Sequence, residues 1–319
     1  MRADRAESNP SVRSDGCHFC PLCADADVEI YLDGPERKLA ASALGPSRED
    51  VSPGRILRCR NCRLGFRRTR PGDTELSQLY GELNNELYEA EAGGRSRTAL
   101  RHLRIVRQYA SGGRLLEVGC ASGLFLSYAA DAGWEVVGIE PSASACDKAK
   151  KILAGRGELI RATLQEADLP PSTFDVVTLW DVLEHVRDPG RFMRLCASLL
   201  KPGGRLFANV PDLDSLQARL FGSRWPLLLQ EHLNYFNRGS LKLCGELAGL
   251  TWMGFGRRPA SFSIGYALYR LAQHKIPGAA IFKRLAIHPA IGNAIISFPL
   301  GELYGVWERR IEELFRGEC

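Results

Sequence analysis

Two acidic residues stand where predicted strands of a parallel sheet end. Glu117 lies at the end of one apolar run, just before a turn with glycines at Gly119 and Gly123, and Glu140 ends the next apolar run. A carboxylate about 20 residues after such a turn lies where a ribose diol would bind. Glu117 would repel a pyrophosphate, and the turn lacks the Gly-x-Gly-x-x-Gly spacing of dinucleotide sites. The chemistry therefore favours a nucleoside ligand that carries a positive charge.

Two further motifs follow in order. Residues 174–186 are an apolar run that continues into Asp-Val-Leu-Glu-His, and residues 199–206 contain Lys-Pro-Gly-Gly. Together the motifs make the region from about 98 to 258 resemble class I S-adenosylmethionine (SAM)-dependent methyltransferases, although Ala121 stands where many members carry glycine. The resemblance implies SAM as cofactor. It places the methionine moiety at Glu117, Gly119 and Gly123, the ribose at Glu140 and the amino group near Asp181.

Four cysteines near the N-terminus form two Cys-x-x-Cys pairs, Cys20 with Cys23 and Cys59 with Cys62. Each tight turn presents two sulfurs to one point, which suits a tetrahedral structural Zn²⁺. A segment of about 60 residues buries little apolar surface, so a metal would supply missing folding energy. Cys17 is spaced to replace one ligand, and a set of free buried thiols is the structural alternative.

Two histidines are candidates for acid–base chemistry. His185 follows the fourth predicted strand, and Glu231-His232 precedes a Tyr-Phe pair. With the cysteine pairs, this run resembles the zinc-containing methyltransferases that include nucleotide-sugar C-methyltransferases. The resemblance implies His232 as the base and Glu231 as its partner or a substrate contact, although Leu229 stands where that group tends to carry tyrosine. The alternatives are structural: His185 as a loop cap and His232 as a packing residue.

The elements that would position these residues alternate between strand and helix. Predicted strands lie at 114–118, 135–139, 158–161, 174–179 and 204–210, with a closing antiparallel pair at 250–258 and 302–309. This alternation predicts an α/β fold, a doubly wound Rossmann-like seven-stranded methyltransferase sheet. We divide the chain into a disordered tail (1–16), a zinc module (17–70), a helical linker (71–112) and a methyltransferase domain (113–319).

An apolar insert at about 263–301 interrupts the closing pair. Its part from Leu285 to Gly301 contains no Asp, Glu, Lys or Arg, but prolines and glycines break it, so it is too short to span a bilayer. A lid over the acceptor site or a homodimer surface is the favoured interpretation. A membrane-interface patch and plain core are the alternatives.

Composition and net charge narrow the classes of function that the chain could have. The net charge of +5 is too small to imply nucleic acid by itself, and the polar N-terminus predicts a cytoplasmic protein without a signal peptide. We expect methyl transfer to the O or C atom of a small molecule, plausibly a sugar or natural-product intermediate. The alternative is an RNA-modifying enzyme that binds RNA phosphates with the arginines between Arg55 and Arg70. A SAM-binding protein without turnover is a third hypothesis.

Overall fold

The computed structural model describes residues 18–35, 53–72, 75, 76, 78, 92–273 and 292–311. The predicted tail, Cys17 and the centre of the apolar insert lie outside the described residues. The strands are β1 (Val28–Leu32), β2 (Ile56–Cys59), β3 (Gly65–Arg67), β4 (Arg114–Val118), β5 (Glu135–Ile139), β6 (Glu158–Ile160), β7 (Phe174–Trp180), β8 (Leu200–Pro211), β9 (Asn234–Tyr235), β10 (Leu250–Ser263) and β11 (Ile295–Arg309).

The large sheet has seven strands in the order β10-β11-β8-β7-β4-β5-β6. Its pairs from β8 to β6 are parallel, and β10 and β11 add an antiparallel pair at one edge. Central strands such as β4 and β7 are buried along nearly their whole length, as expected for a parallel sheet covered on both faces. The predicted doubly wound α/β fold is confirmed.

Helices cover both faces of this sheet. They are α1 (Ala92–Val106), α2 (Leu124–Asp131), α3 (Ala143–Leu153), α4 (Pro189–Leu199), α5 (Leu216–Phe221), α6 (Arg238–Glu246) and α7 (Ile264–Gln273), with a 3-10 turn at Gly222–Arg224. Ser142 caps α3 as its sequence position suggests, because its side chain accepts from the Ala145 amide. Asp188 caps α4 in the same way, with Pro189 in the first turn. Among the described residues, no helix is both long and apolar enough to cross a bilayer.

A second, smaller sheet has the order β1-β2-β3-β9, and all its described pairs are antiparallel. Three of its strands come from the predicted zinc module, but β9 comes from the segment between β8 and α6. The module is therefore joined to the methyltransferase domain by backbone hydrogen bonds.

The ends of the apolar insert differ from the sequence interpretation. β10 extends to Ser263 and β11 begins at Ile295, so the two ends of the insert pair with each other as strands. Pro299 was expected to interrupt the segment, but it falls where the register shifts, and a proline is tolerated at such a bulge. Phe298 is about half exposed, so plain core does not describe this part of the insert.

Candidate functional site

The glycine turn after β4 has backbone angles that most side chains disfavour. Gly119 has φ +73° and Gly123 has φ +72°. A Cβ at Gly119 would lie 2.8 Å from the Val182 side chain, so the turn after β4 packs directly on the turn after β7. Ala121 adopts φ +47° at the position where glycine was expected, a strain of about 1–2 kcal/mol. The turns after β4 and β7 therefore meet at one edge of the sheet, which we call the cofactor edge.

Glu140 is fixed at this edge by two backbone amides. Its Oε2 accepts from the Ala121 amide at 2.9 Å, and its Oε1 accepts from the Ser142 amide at 2.9 Å. Burial raises the pKa of Glu140, although both amide contacts oppose the rise. The carboxylate is thus held between the glycine turn and the start of α3, the position predicted for a ribose contact.

Glu117 is buried beside it with an unsatisfied oxygen. Its side chain is 4% exposed, and within the described part of the chain its Oε2 has no hydrogen-bond partner. Burial raises the pKa of Glu117 well above its ordinary value, and the nearby charge of Glu140 raises it further. A buried carboxylate without a partner is costly, and a cationic group placed against it would relieve that cost.

The structure brings His185 and His232 together. Their ring centroids lie 4.8 Å apart, with the planes at 78°. The His185 Nδ1 lies 3.0 Å from the carbonyl oxygen of Glu231, and the His232 Nδ1 lies 3.0 Å from that of Leu227. A carbonyl oxygen only accepts, so each Nδ1 carries a proton, and when such a ring is neutral its lone pair is on Nε2. Both rings are therefore held in one tautomer that suits a proton acceptor.

Glu184 joins the two histidines in one cluster. One ligand-type atom from each of Glu184, His185 and His232 lies within 4.8 Å of the others. The Oε2 of Glu184 is buried and has no hydrogen-bond partner among the described residues. Burial raises the pKa of Glu184 well above its ordinary value, and the charge of Asp181 adds to the rise. Glu184 and His185 lie in the turn after β7, the same turn whose Val182 packs against Gly119.

Asp181 takes part in a different network from the one predicted. Its Oδ1 accepts a hydrogen bond from the Asn209 side chain and lies 3.4 Å from the guanidinium of Arg258. Arg258 is buried and also pairs with Glu302 at 3.0 Å. The carboxylate therefore helps to neutralise a buried guanidinium, and its contact with an amino group stays a prediction.

Two residues near the cofactor edge were missed by the sequence reasoning. His102 is buried and stacks on Trp180 at 3.8 Å between ring centroids, and burial lowers its pKa well below the ordinary value. Arg95 donates to the Ser122 hydroxyl in the glycine turn at 3.1 Å. The signal for His102 was its helical spacing with the buried Ala99 and Val106, which places it on the inward face of α1.

The four predicted metal-ligating cysteines converge. The sulfurs of Cys20, Cys23, Cys59 and Cys62 all lie within 4.8 Å of one another. The Cys20–Cys62 distance is 3.4 Å and the Cys23–Cys59 distance is 3.6 Å. Tetrahedral Zn²⁺ with sulfurs at about 2.3 Å requires sulfur–sulfur distances of about 3.8 Å, so the donor set fits that ion after small adjustments. A hydrogen bond from Cys62 lowers the pKa of Cys20 to about 6, and the same contact raises the pKa of Cys62.

Known proteins match the part of the chain that contains the cofactor edge. A model of the family described as a methyltransferase domain matches residues 93–253. A ubiquinone biosynthesis O-methyltransferase from Bradyrhizobium sp. (strain ORS 278) is 42% identical over 102 residues, which cover 31% of this chain and 40% of that relative. A protein of the same name from Aliivibrio fischeri (strain MJ11) is 37% identical over 171 residues, which cover 48% of this chain and 73% of that relative.

The chain spans about half the length of the first curated relatives that it matches. Among solved structures, a SAM-dependent methyltransferase from Thermotoga maritima, described as a possible histamine N-methyltransferase, is 19% identical. The match covers 67% of this chain and 91% of that one, with a TM-score of 0.45.

Proposed function

This chain belongs to the SAM-dependent methyltransferase family, and we propose that it methylates an oxygen or carbon atom of a small molecule with His232 as general base. The observation that carries the proposal is the histidine pair, whose rings lie 4.8 Å apart and whose Nδ1 atoms each face a backbone carbonyl. The curated relatives support an oxygen acceptor, because they are named O-methyltransferases. A sugar or natural-product intermediate is the acceptor class we propose.

The residues at the cofactor edge fit SAM. The unsatisfied carboxylate oxygen of Glu117 suits the positive charge of the cofactor, and we assign the ribose hydroxyls to Glu140, which the Ala121 amide holds at the glycine turn. Gly119 and Gly123 permit the positive φ angles of the turn to which we assign the methionine moiety. When bound, SAM supplies an electrophilic methyl group and a sulfur leaving group.

Replacing Glu140 with alanine should weaken binding of S-adenosylhomocysteine (SAH) by about tenfold or more. The change removes an acceptor of ribose hydrogen bonds, and a bond to a charged group contributes about 1.5–3 kcal/mol. Isothermal titration calorimetry measures the affinity. Glu135→Ala, an exposed glutamate at the opposite end of β5, is the matched control and should leave the affinity unchanged. An unaltered affinity in Glu140→Ala would contradict the ribose assignment.

The affinity for SAM should rise with pH because of Glu117. Its raised pKa keeps the carboxyl neutral at pH values where a free glutamate is charged, and a bound cation favours the charged form. Binding therefore releases a proton, and affinity increases with pH until the free protein is itself ionised. Titrations in buffers of different ionisation enthalpy measure this proton release. Glu117→Gln should abolish it, and equal proton release in both proteins would contradict the assignment.

The acid–base step follows from the tautomer of His232. With Nδ1–H donated to the Leu227 carbonyl, Nε2 accepts the proton of the acceptor group as that group attacks the methyl carbon. When bound, SAM would supply the methyl carbon for the new bond, and its sulfur would keep the electron pair of the broken carbon–sulfur bond. His185 packs against His232 and is the second candidate for a proton carrier. Glu231 holds His185 through its backbone carbonyl, which ties the three residues together.

We also propose that Cys20, Cys23, Cys59 and Cys62 bind one structural Zn²⁺. The convergence of the four sulfurs, all within 4.8 Å of one another, supports this assignment. A four-thiolate site leaves no open position, so the metal would stabilise the small sheet.

The buried arginines argue against the RNA alternative. Arg58 and Arg67 are buried, and Arg70 donates to backbone carbonyls of the turn after β7, so these three arginines hold the fold together. The exposed Arg60 lies within ion-pair distance of Asp27 and Glu29. All seven arginines between 55 and 70 therefore make internal contacts.

A panel of acceptors tests the proposed function. Purified protein with methyl-labelled SAM is offered catechols and phenols, nucleotide sugars, and transcribed RNA, and SAH release is measured for each. We expect turnover with a hydroxylated or enolisable small molecule, and NMR of the product assigns the methylated atom. Turnover with RNA alone would overturn the proposal, and SAH binding without turnover on any acceptor would favour a non-enzymatic role.

A further inference from the structure

We infer that Arg67 is a positioning residue, through which the N-terminal module holds the Glu231-His232 dipeptide in its acid–base geometry. The inference rests on the proposed role of His232 as base. It concerns a residue that belongs to the cysteine-containing module and lies far from His232 in the sequence. The supporting observations are contacts that bracket the dipeptide on both sides.

Arg67 holds the dipeptide from both ends. Its backbone amide donates to the Leu233 carbonyl at 3.0 Å, directly after His232. Its guanidinium NH1 donates to the Gln230 carbonyl at 2.5 Å, directly before Glu231. Arg67 is only 2% exposed, so both bonds form away from water, where losing a partner is most costly.

The Gln230 contact lies at the centre of the turn that orients the imidazole. His232 donates from Nδ1 to the carbonyl of Leu227 and from its backbone amide to that of Leu229 at 3.2 Å. In the sequence, Gln230 follows Leu227 and Leu229 and precedes His232. A guanidinium that fixes the Gln230 carbonyl therefore fixes the path of the turn, and the tautomer of His232 depends on that path.

The pairing of β3 with β9 places Arg67 at this point. Gly65 pairs with Tyr235 and Phe66 with Asn234. A Cβ on Gly65 would lie 2.8 Å from the Leu213 side chain and 3.2 Å from the Tyr235 Cβ, so glycine permits the close approach. β3 begins three residues after Cys62, and the cysteine cluster, β3 and the histidine turn therefore form one continuous connection.

Arg70 extends the same connection to the second histidine. Its NH2 donates to the Arg187 carbonyl and lies 3.2 Å from the Asn234 side-chain oxygen. The Asn234 side chain in turn donates to the Val186 carbonyl at 2.7 Å. The turn that carries His185 and the strand that follows His232 are thus held together by one arginine of the module.

Arg67→Met tests the inference without an acceptor. Long-range ¹H–¹⁵N correlation spectra report the imidazole tautomers, and the spectrum of His232→Gln assigns the His232 signal among the six histidines. We expect wild-type His232 to show the Nδ1–H tautomer and Arg67→Met to show a mixture. SAH affinity should change by less than about twofold, because a twofold change corresponds to only about 0.4 kcal/mol and the cofactor edge lies on other strands.

Arg58→Met is the matched control. It removes another buried guanidinium of the same sheet, the one that pairs with Asp214 at 2.7 Å, and does not touch the histidine turn. We expect it to lower the thermal unfolding temperature without altering the His232 tautomer. An unchanged tautomer in Arg67→Met, or the same change in Arg58→Met, would overturn the inference.

Native-state hydrogen exchange of the wild-type protein provides a second measurement if Arg67→Met does not fold. The Arg67 amide and the Leu233 amide, which donates to the Glu184 carbonyl at 2.8 Å, should open with the same free energy. Different opening free energies at these two amides would refute the connection between the module and the histidine turn. If His232→Ala loses turnover but Arg67→Met keeps the wild-type tautomer, the positioning role of Arg67 is wrong and the base role of His232 stands. If Arg67→Met changes the tautomer but His232→Ala keeps full turnover, His232 is not the base, although Arg67 still positions it.

Discussion

Replacing His232 with alanine should lower the rate of methyl transfer by about 10²- to 10⁴-fold, the usual contribution of a general base. The imidazole is buried to 5% exposure and held by a hydrogen bond to the Leu227 carbonyl, so water cannot readily replace its Nε2 as proton acceptor. The measurement is the rate of SAH formation under single-turnover conditions, with the acceptor that the panel identifies. Binding of SAH should be unchanged, because the cofactor edge is formed by β4 and β5.

The control for this variant is His18→Ala. His18 lies in the small sheet region, where its Nε2 accepts from the Arg68 side chain at 2.8 Å. Its replacement removes an imidazole from the same part of the molecule and should leave the rate within about twofold, an effect of about 0.4 kcal/mol. A loss of less than about tenfold in His232→Ala, with SAH affinity intact, would remove His232 from the mechanism.

The parallel sheet and the cofactor edge could be predicted from the sequence because their signals are local. Each strand of the sheet is an apolar run bounded by a turn, and right-handed crossovers leave few possible orders. Glu117 and Glu140 follow directly from this arrangement, since both stand at the ends of neighbouring parallel strands. The glycine turn at Gly119 could also be predicted, because the spacing of glycines is itself a local pattern.

The contact between the small sheet and the histidine turn could not be predicted in the same way. β9 is two residues long, and it pairs with β3, which lies far earlier in the chain. No periodicity marks a two-residue strand, so the sequence indicated a separate module followed by an independent loop. The arginines of the module illustrate the same point. Their number can be read from the sequence, but the burial of Arg58 and Arg67 depends on partners that are distant in sequence.

The extension of β10 and β11 illustrates a different limit. Apolar residues with Pro299 and Gly292 indicated an interrupted insert, because both residue types usually end strands. In the structure the register shift absorbs the proline, and Gly301 takes φ +91°. Such a bulge depends on the partner strand, which the local sequence does not specify.

Replacing Cys59 and Cys62 together with serine should abolish bound zinc and destabilise the small sheet. Structural zinc sites in isolated peptides contribute about 10–16 kcal/mol of apparent binding free energy, so we expect a loss of at least several kcal/mol here. Zinc content is measured by inductively coupled plasma mass spectrometry, and stability by thermal unfolding. Because β3 pairs with β9, the variant should also lose the single tautomer of His232.

The control replaces two thiols outside the cluster, Cys196 and Cys244, with serine. Both are buried, so this double variant measures the cost of placing two hydroxyl groups in the core. We expect it to keep one zinc per chain and the wild-type His232 tautomer. If the Cys59/Cys62 variant retains its zinc, the four-cysteine assignment is wrong. If it loses zinc while the His232 tautomer persists, the metal stabilises the module without reaching the histidine turn, and β9 holds that turn through its contacts with the large domain alone.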